Sequence, residues 1–174
     1  GKLPITFPRK IGQVPIYYNI KNTGRPVPVE NPKEDYKSNY IDSPNTPLYS
    51  FGHGLSYTTF KYSEISLSSN LINPTDSILV SVDITNLGDY DGHEVVQLYI
   101  HDKVGSITRP IKELKGFKKV FIKKGETKTV KFKLFSDNFK FFNGKDYVIE
   151  AGEFEVAIAG SSNFNFSKSF HLKF

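Results

Sequence analysis

Apolar and polar positions alternate with a period of two through most of the chain beyond residue 59. The clearest stretch sets Ile78, Val80, Val82 and Ile84 against Leu79, Ser81, Asp83 and Thr85. Successive side chains on a strand point to opposite faces, so this pattern predicts a strand with one buried face. Val96, Leu98 and Ile100 repeat it, and residues 111–122, 127–134, 153–160 and 164–174 read as further strands. In the last of these, Phe164, Phe166, Phe170, Leu172 and Phe174 alternate with polar residues. Asp91-Gly92, Lys124-Gly125 and Ala151-Gly152 supply turns, the first of a kind that joins antiparallel strands. Over 59–68 the phase shifts, from Phe60 and Tyr62 to Ile65 and Leu67. A bulge near Ser63-Glu64 is needed to bury both pairs, because a slip of one residue turns every later side chain to the other face.

No helical period is sustained. About seven strands, with turn signals every ~8 to 12 residues, predict an all-β, immunoglobulin-like β-sandwich. The first 47 residues differ. They hold eight of the ten prolines, which lack an amide proton and exclude a central strand or long helix. Residues 3–7 and 14–19 are β-like, whereas 21–43 is polar and turn-rich, with Asn22-Thr23-Gly24 and Glu30-Asn31-Pro32 as loop signals. Tyr17, Tyr18, Tyr36 and Tyr40 are expected to pin this arm to the sandwich, since disordered linkers are poor in aromatics. Between arm and strands, residues 47–60 read as a buried corner rich in Leu48, Phe51, Leu55, Tyr57 and Phe60. There Gly52 and Gly54 are expected to give positive φ on both sides of His53.

Composition narrows the chemistry. The 174 residues include no cysteine and no tryptophan, and no run approaches the ~20 apolar residues of a membrane span. The formal charge of +5 comes from lysines, with arginine only at 9, 25 and 109. Lys131 and Lys133 alternate with Val130, Phe132 and Leu134, which describes the solvated face of a sheet; neither nucleic acid nor a membrane is expected as a partner. His53, His93, His101 and His171 have no metal-ligand spacing, and no metal or other cofactor is expected. Ser136-Asp137-Asn138 falls in a turn, so Asp137 reads as a loop residue. No Gly-x-Ser-x-Gly elbow accompanies the serines.

The block Phe51-Gly52-His53-Gly54-Leu55-Ser56-Tyr57-Thr58-Thr59-Phe60 resembles the segment that opens the C-terminal fibronectin type III-like domain of family-3 glycoside hydrolases such as the bacterial β-glucosidases. Three further blocks follow the same family in order: Gly1 to Pro8 with Gly12 to Asn19, then Glu94-Val95-Val96-Gln97-Leu98-Tyr99, then Thr108-Arg109-Pro110-Ile111-Lys112-Glu113-Leu114-Lys115-Gly116-Phe117. The resemblance implies that residues 1–47 are the exit strand and proline-rich arm of a preceding α/β-sandwich domain, and that 48–174 form the fibronectin type III-like domain. It implies a periplasmic or secreted parent that hydrolyses terminal β-linked glucose, with both catalytic carboxyl groups upstream. This chain would then be a piece of a longer protein, catalytically silent and structural, with the upstream catalytic domains as partners and homodimer contacts as a further expectation.

The arm is the one place where a direct sugar contact is expected, through Tyr36, Asn39 and Tyr40. Relatives commonly carry an arginine in this loop, whereas here it reads Tyr36-Lys37-Ser38-Asn39-Tyr40, without that fork-shaped cation. Arg109 matches the family and is expected to pair with Glu113 or Glu94. Two other readings stand beside the hydrolase one. One is an independent carbohydrate- or surface-binding module, and the other an adhesion sandwich whose arm is a plain linker.

Overall fold

The computed structural model describes residues 1–22, 24–25, 36–165 and 167–174. The strands are β1 (Phe60–Tyr62), β2 (Ser66–Leu67), β3 (Leu71–Ile72), β4 (Ile78–Asn86), β5 (Gly92–Asp102), β6 (Glu113–Ile122), β7 (Thr127–Leu134), β8 (Phe141–Phe142), β9 (Tyr147–Val148), β10 (Gly152–Ala159) and β11 (Lys168–Leu172). They form two sheets of a sandwich. In the first, β4 is flanked by β7 on one side and by β1 and β2 in succession on the other; the second runs β3-β11-β10-β5-β6. A small hairpin, β8-β9, stands apart. Counting β1 and β2 as one interrupted strand, the sandwich has the expected seven, with β3 and the hairpin as additions.

The interruption is the predicted bulge. Tyr62 pairs with Ile84, but Ser66 pairs with Ser81, so the register slips by one residue across 63–65. Ser63 marks the slip: its N–H donates to the Asp83 carbonyl at 2.9 Å, and its Oγ accepts the Asp83 N–H at 3.0 Å. Ile65 is thereby buried beside Tyr62 while Glu64 faces solvent. A second slip lies between β5 and β6 at Leu98/Tyr99.

Between the sheets, Ile78, Val80, Val82 and Ile84 of β4 face Val96, Leu98 and Ile100 of β5 and Phe154, Val156 and Ile158 of β10. Phe139, Phe154 and Phe170 form an aromatic cluster with ring centres 5.2 to 5.7 Å apart. Fully burying each such side chain contributes about 1.5–3 kcal/mol, which explains why the period-two pattern dictates the fold.

Some local expectations need correction. Asp91-Gly92 does not join an antiparallel pair, because β4 and β5 belong to opposite sheets. Instead the Asp91 carboxylate accepts the Lys124 N–H at 2.8 Å and ties two crossover loops together. The last strand is shorter than its alternation suggests: Phe170 and Leu172 are buried, Phe174 is exposed, and Phe166 lies outside the described residues. Residues 3–7 and 14–19 form no strand; one 3-10 turn, Ile11–Gln13, is the only regular element there among the described residues. The Glu30-Asn31-Pro32 loop signal and Thr23 also fall outside the described residues.

The corner is only partly buried. Gly52 has φ +79 and is buried, but Gly54 does not have positive φ. Its lack of a side chain serves a different need, since a Cβ there would collide with the Gly1 carbonyl oxygen. Leu55 and Tyr57, at 89% and 96% exposure, point to solvent. Thr58 instead secures the corner: its hydroxyl donates to Asn86 Oδ1, and the Leu87 N–H donates to the Thr59 carbonyl at 2.8 Å.

Candidate functional site: the cleft between arm and sandwich

The arm returns on the sandwich through its backbone first. Leu3 N–H donates to the His53 carbonyl at 2.8 Å, Gly52 N–H to the Leu3 carbonyl at 2.7 Å, and Phe7 N–H to the Tyr49 carbonyl at 2.8 Å. Further along, Ile111 N–H donates to the Ile20 carbonyl at 2.9 Å, so the arm also pairs with the strand-like entry to β6. Residues 3–7 therefore pack back on the corner.

Side chains complete the seam. Tyr18 stacks on Phe51 with ring centres 4.5 Å apart, meets Tyr99 edge-on at 6.0 Å, and accepts the Leu114 N–H at 3.3 Å. The outer face of β5 is consequently buried at Gln97 and Tyr99 as well as at its core-facing positions. The Tyr99 hydroxyl donates to Gln97 Oε1, and Gln97 Nε2 donates to the Gly160 carbonyl at 3.0 Å. Lys2 reaches the buried Glu94 at 3.2 Å, where the Tyr62 hydroxyl also donates at 2.9 Å; burial and this carboxylate push the Tyr62 hydroxyl far above its ordinary pKa.

A second set of contacts folds the arm on itself. Gln13, 1% exposed, donates from Nε2 to the Pro44 carbonyl at 2.8 Å. Arg9 Nε donates to the Thr46 carbonyl at 3.0 Å. Lys10 pairs with Asp42 at 2.8 Å, and this contact holds the Asp42 carboxyl below its ordinary value of 3.8. Asn45 closes the loop at residues 38–45 by donating to the Ser38 carbonyl at 2.7 Å and accepting the Tyr40 N–H at 3.1 Å.

These contacts leave a cleft of about 550 Å³ between the arm and the sandwich. Tyr17, Tyr18 and Tyr40 supply aromatic walls, Asn39 and Asn45 carboxamides, and Lys112 with Asn163 the sandwich side. Of the three residues expected at a sugar contact, Asn39 and Tyr40 line this cleft. Tyr36, 88% exposed with φ +60, is not among its lining residues. Of the four arm tyrosines, Tyr18 is the pin; Tyr17, Tyr36 and Tyr40 are exposed to different degrees and do not glue the arm down. Nothing in the sequence Arg-Pro-Ile-Lys-Glu marks Lys112 as a half-buried lysine.

Other candidate groups lie apart. Arg109 pairs with Glu113 at 3.0 Å and with Asp102 at 3.6 Å, and its guanidinium lies 4.3 Å from the centre of the Phe141 ring; Glu94 is not its partner. Asp137 is exposed and paired with Lys140 at 2.6 Å. His53 stacks on Tyr49, His93 meets Phe121, and His101 lies 3.5 Å from Glu155. Among the described residues no three of His, Cys, Asp and Glu gather as a metal site, and no helix is long and apolar enough to cross a membrane.

Comparison with known proteins matches residues 94–162 to the fibronectin type III-like domain. The chain is 47% identical over 163 residues to a periplasmic β-glucosidase of Salmonella typhimurium, covering 93% of this chain and 21% of that protein. It is 44% identical to a putative β-xylosidase of Formosa agariphila, covering 99% of this chain and 22% of the relative. The crystal structure of a Listeria innocua β-glucosidase in complex with isofagomine superposes with a TM-score of 0.93 at 43% identity, covering 99% of this chain and 24% of that one. The chain thus spans about a fifth of the length of the relatives it matches. It carries a fibronectin type III-like β-sandwich and corresponds to the C-terminal part of the family-3 glycoside hydrolases of the β-glucosidase and β-xylosidase kind.

Proposed function

We propose that this chain is the non-catalytic, structural part of a larger glycoside hydrolase that releases terminal β-linked glucose or a similar sugar with retention. The observation that carries the reading is coverage: nearly all of this chain matches a fifth to a quarter of enzymes named β-glucosidase or β-xylosidase. In this reading residues 1–47 are the exit strand and arm of a preceding domain, 48–174 are the fibronectin type III-like domain, and the chemistry belongs to carboxyl groups upstream. The parent works in the periplasm or outside the cell, as the Salmonella relative's name supports.

The arm offers the docking face for the upstream domains. A groove of about 380 Å³, lined by Ile5, Val14, Pro15, Ile16, Tyr17 and Phe51 among others, is mostly apolar, and Ile5, Val14 and Tyr17 are more than half exposed. Apolar grooves of this kind are covered by a partner more often than left to water. Homodimer contacts through the exposed corner residues Leu55 and Tyr57 fit the same logic. Asn39 and Tyr40, with Tyr36 on the neighbouring surface, form a sugar-proximal loop in this reading.

The test is complementation. The product of the natural gene is expressed without these 174 residues, and the chain is then added in trans. Co-elution of the two pieces and a raised melting temperature of the larger piece are expected. Independent elution, with the larger piece equally stable and active alone, would contradict a structural role.

A further inference from the structure

Lys112 is placed unusually for an ammonium group. The pairing of Ile111 with Ile20 carries it to the seam between arm and sandwich, where it borders the large cleft and a smaller one of about 240 Å³. It is half-buried. Its Nζ donates to the Ser162 carbonyl at 2.9 Å and lies 4.7 Å from the centre of the Phe164 ring. Among the described residues it has no carboxylate in ion-pair range. Glu155, on the smaller cleft, is engaged by Lys103 at 3.3 Å and His101 at 3.5 Å. Withdrawing a cation from water without a counter-ion is unfavourable, and burial accordingly lowers the Lys112 pKa. One carbonyl and one ring face leave ammonium donors to spare.

The surroundings indicate what kind of anion would suit Lys112. Tyr17, Tyr18 and Tyr40 present ring surface and phenols, and Asn163 adds a carboxamide on the same side as Lys112. The cleft volume lies in the range of about 300–1,000 Å³ used for small ligands. Rings with hydroxyl and amide groups suit a polyhydroxylated molecule that has apolar faces. A lysine with no carboxylate in ion-pair range among the described residues suits an acid.

We propose that the cleft between arm and sandwich binds an anionic saccharide, a sugar unit bearing a carboxylate, with Lys112 as the partner of that carboxylate. The inference rests on the sugar-contact reading above and adds the charge of the ligand. A carboxylate there exchanges a strained solvation state for a charge-assisted hydrogen bond.

The test is calorimetric titration of the 174-residue chain at low and high salt with three probes: a xylo-oligosaccharide bearing one glucuronate, the same oligosaccharide without it, and acetate. The acidic oligosaccharide is expected to bind about tenfold tighter than the neutral one, the factor that one net charge-assisted bond provides. Lys112→Gln should erase that ratio, while Lys112→Arg, which keeps the charge, should retain part of it. Thermal unfolding of both variants reports whether the seam is intact. Equal affinity for acidic and neutral probes, or a ratio untouched by Lys112→Gln, overturns the anion assignment and leaves the sugar reading standing. No binding of either oligosaccharide overturns both. Acetate binding as tightly as the acidic oligosaccharide overturns the saccharide half of the proposal.

Discussion

A side chain at position 52 would have nowhere to go. Gly52 sits at φ +79, and a Cβ there would overlap the Gln97 carboxamide, which is buried and already bonded to Gly160 and Tyr99. Gly125 has a similar φ of +73 but open space around it. Gly52→Ala is therefore expected to destabilise by about 2–4 kcal/mol and Gly125→Ala by about 1–2, the difference being overpacking rather than backbone strain. Urea midpoints measure both; equal losses would contradict the account. Asn86, fully buried, makes a comparable demand. It donates to the Tyr90 carbonyl at 2.8 Å and the Ile122 carbonyl at 3.0 Å while accepting from Thr58 and Gly88. Asn86→Ala should cost about 3 kcal/mol, because buried groups in the corner and both crossover loops lose their partners at once. The positive φ of Gly52 is expected from the Gly-His-Gly sequence, but its close approach to Gln97 and the role of Asn86 are not legible there: an Asn at a strand end reads as a turn residue, and only the tertiary fold surrounds it with four partners.

At the scale of elements, alternation carried most of the information. Residues 127–134 form β7 as expected, and the phase shift at Ser63-Glu64 is a bulge because burying Tyr62 and Ile65 together leaves no other option. The arm was less legible. Proline excluded regular structure but could not say which tyrosine turns inward; Tyr18 does because Phe51 and Tyr99 offer it two ring surfaces, while Tyr17 beside it has 63% exposure. Tyr18→Ala is expected to speed proteolysis within residues 8–22 at least tenfold while the sandwich core stays protected, since local opening is controlled by the few contacts that hold a segment. Cleavage at the parental rate would assign the pin elsewhere. The Lys10–Asp42 pair adds a pH dependence. Asp42 is held below 3.8 in the folded arm, so its stabilisation is present above about pH 4 and is lost as pH falls through the depressed folded value. Hydrogen exchange of arm amides, corrected for intrinsic rates, should accelerate below that pH, and in Asp42→Asn the acceleration should disappear.

The whole molecule joins a sandwich to an arm whose outward face carries exposed apolar residues. Its core is closed between two sheets, yet Ile5, Ile11, Val14 and Tyr17 remain exposed on the arm and Leu55 and Tyr57 on the corner. The class of fold was legible in the strand pattern, and the resemblance of four blocks to one family pointed to the relatives found. The cleft was not legible, because its walls come from residues near 17, 40, 112 and 163, which no local pattern connects. The central claim is that the chemistry belongs to the longer protein and this chain supports it. Hydrolysis of an aryl β-glucoside, measured side by side for the natural full-length gene product and the purified 174-residue chain, tests this most directly. Turnover by the full-length protein with none by the chain is the predicted result; turnover by the chain itself would contradict the account.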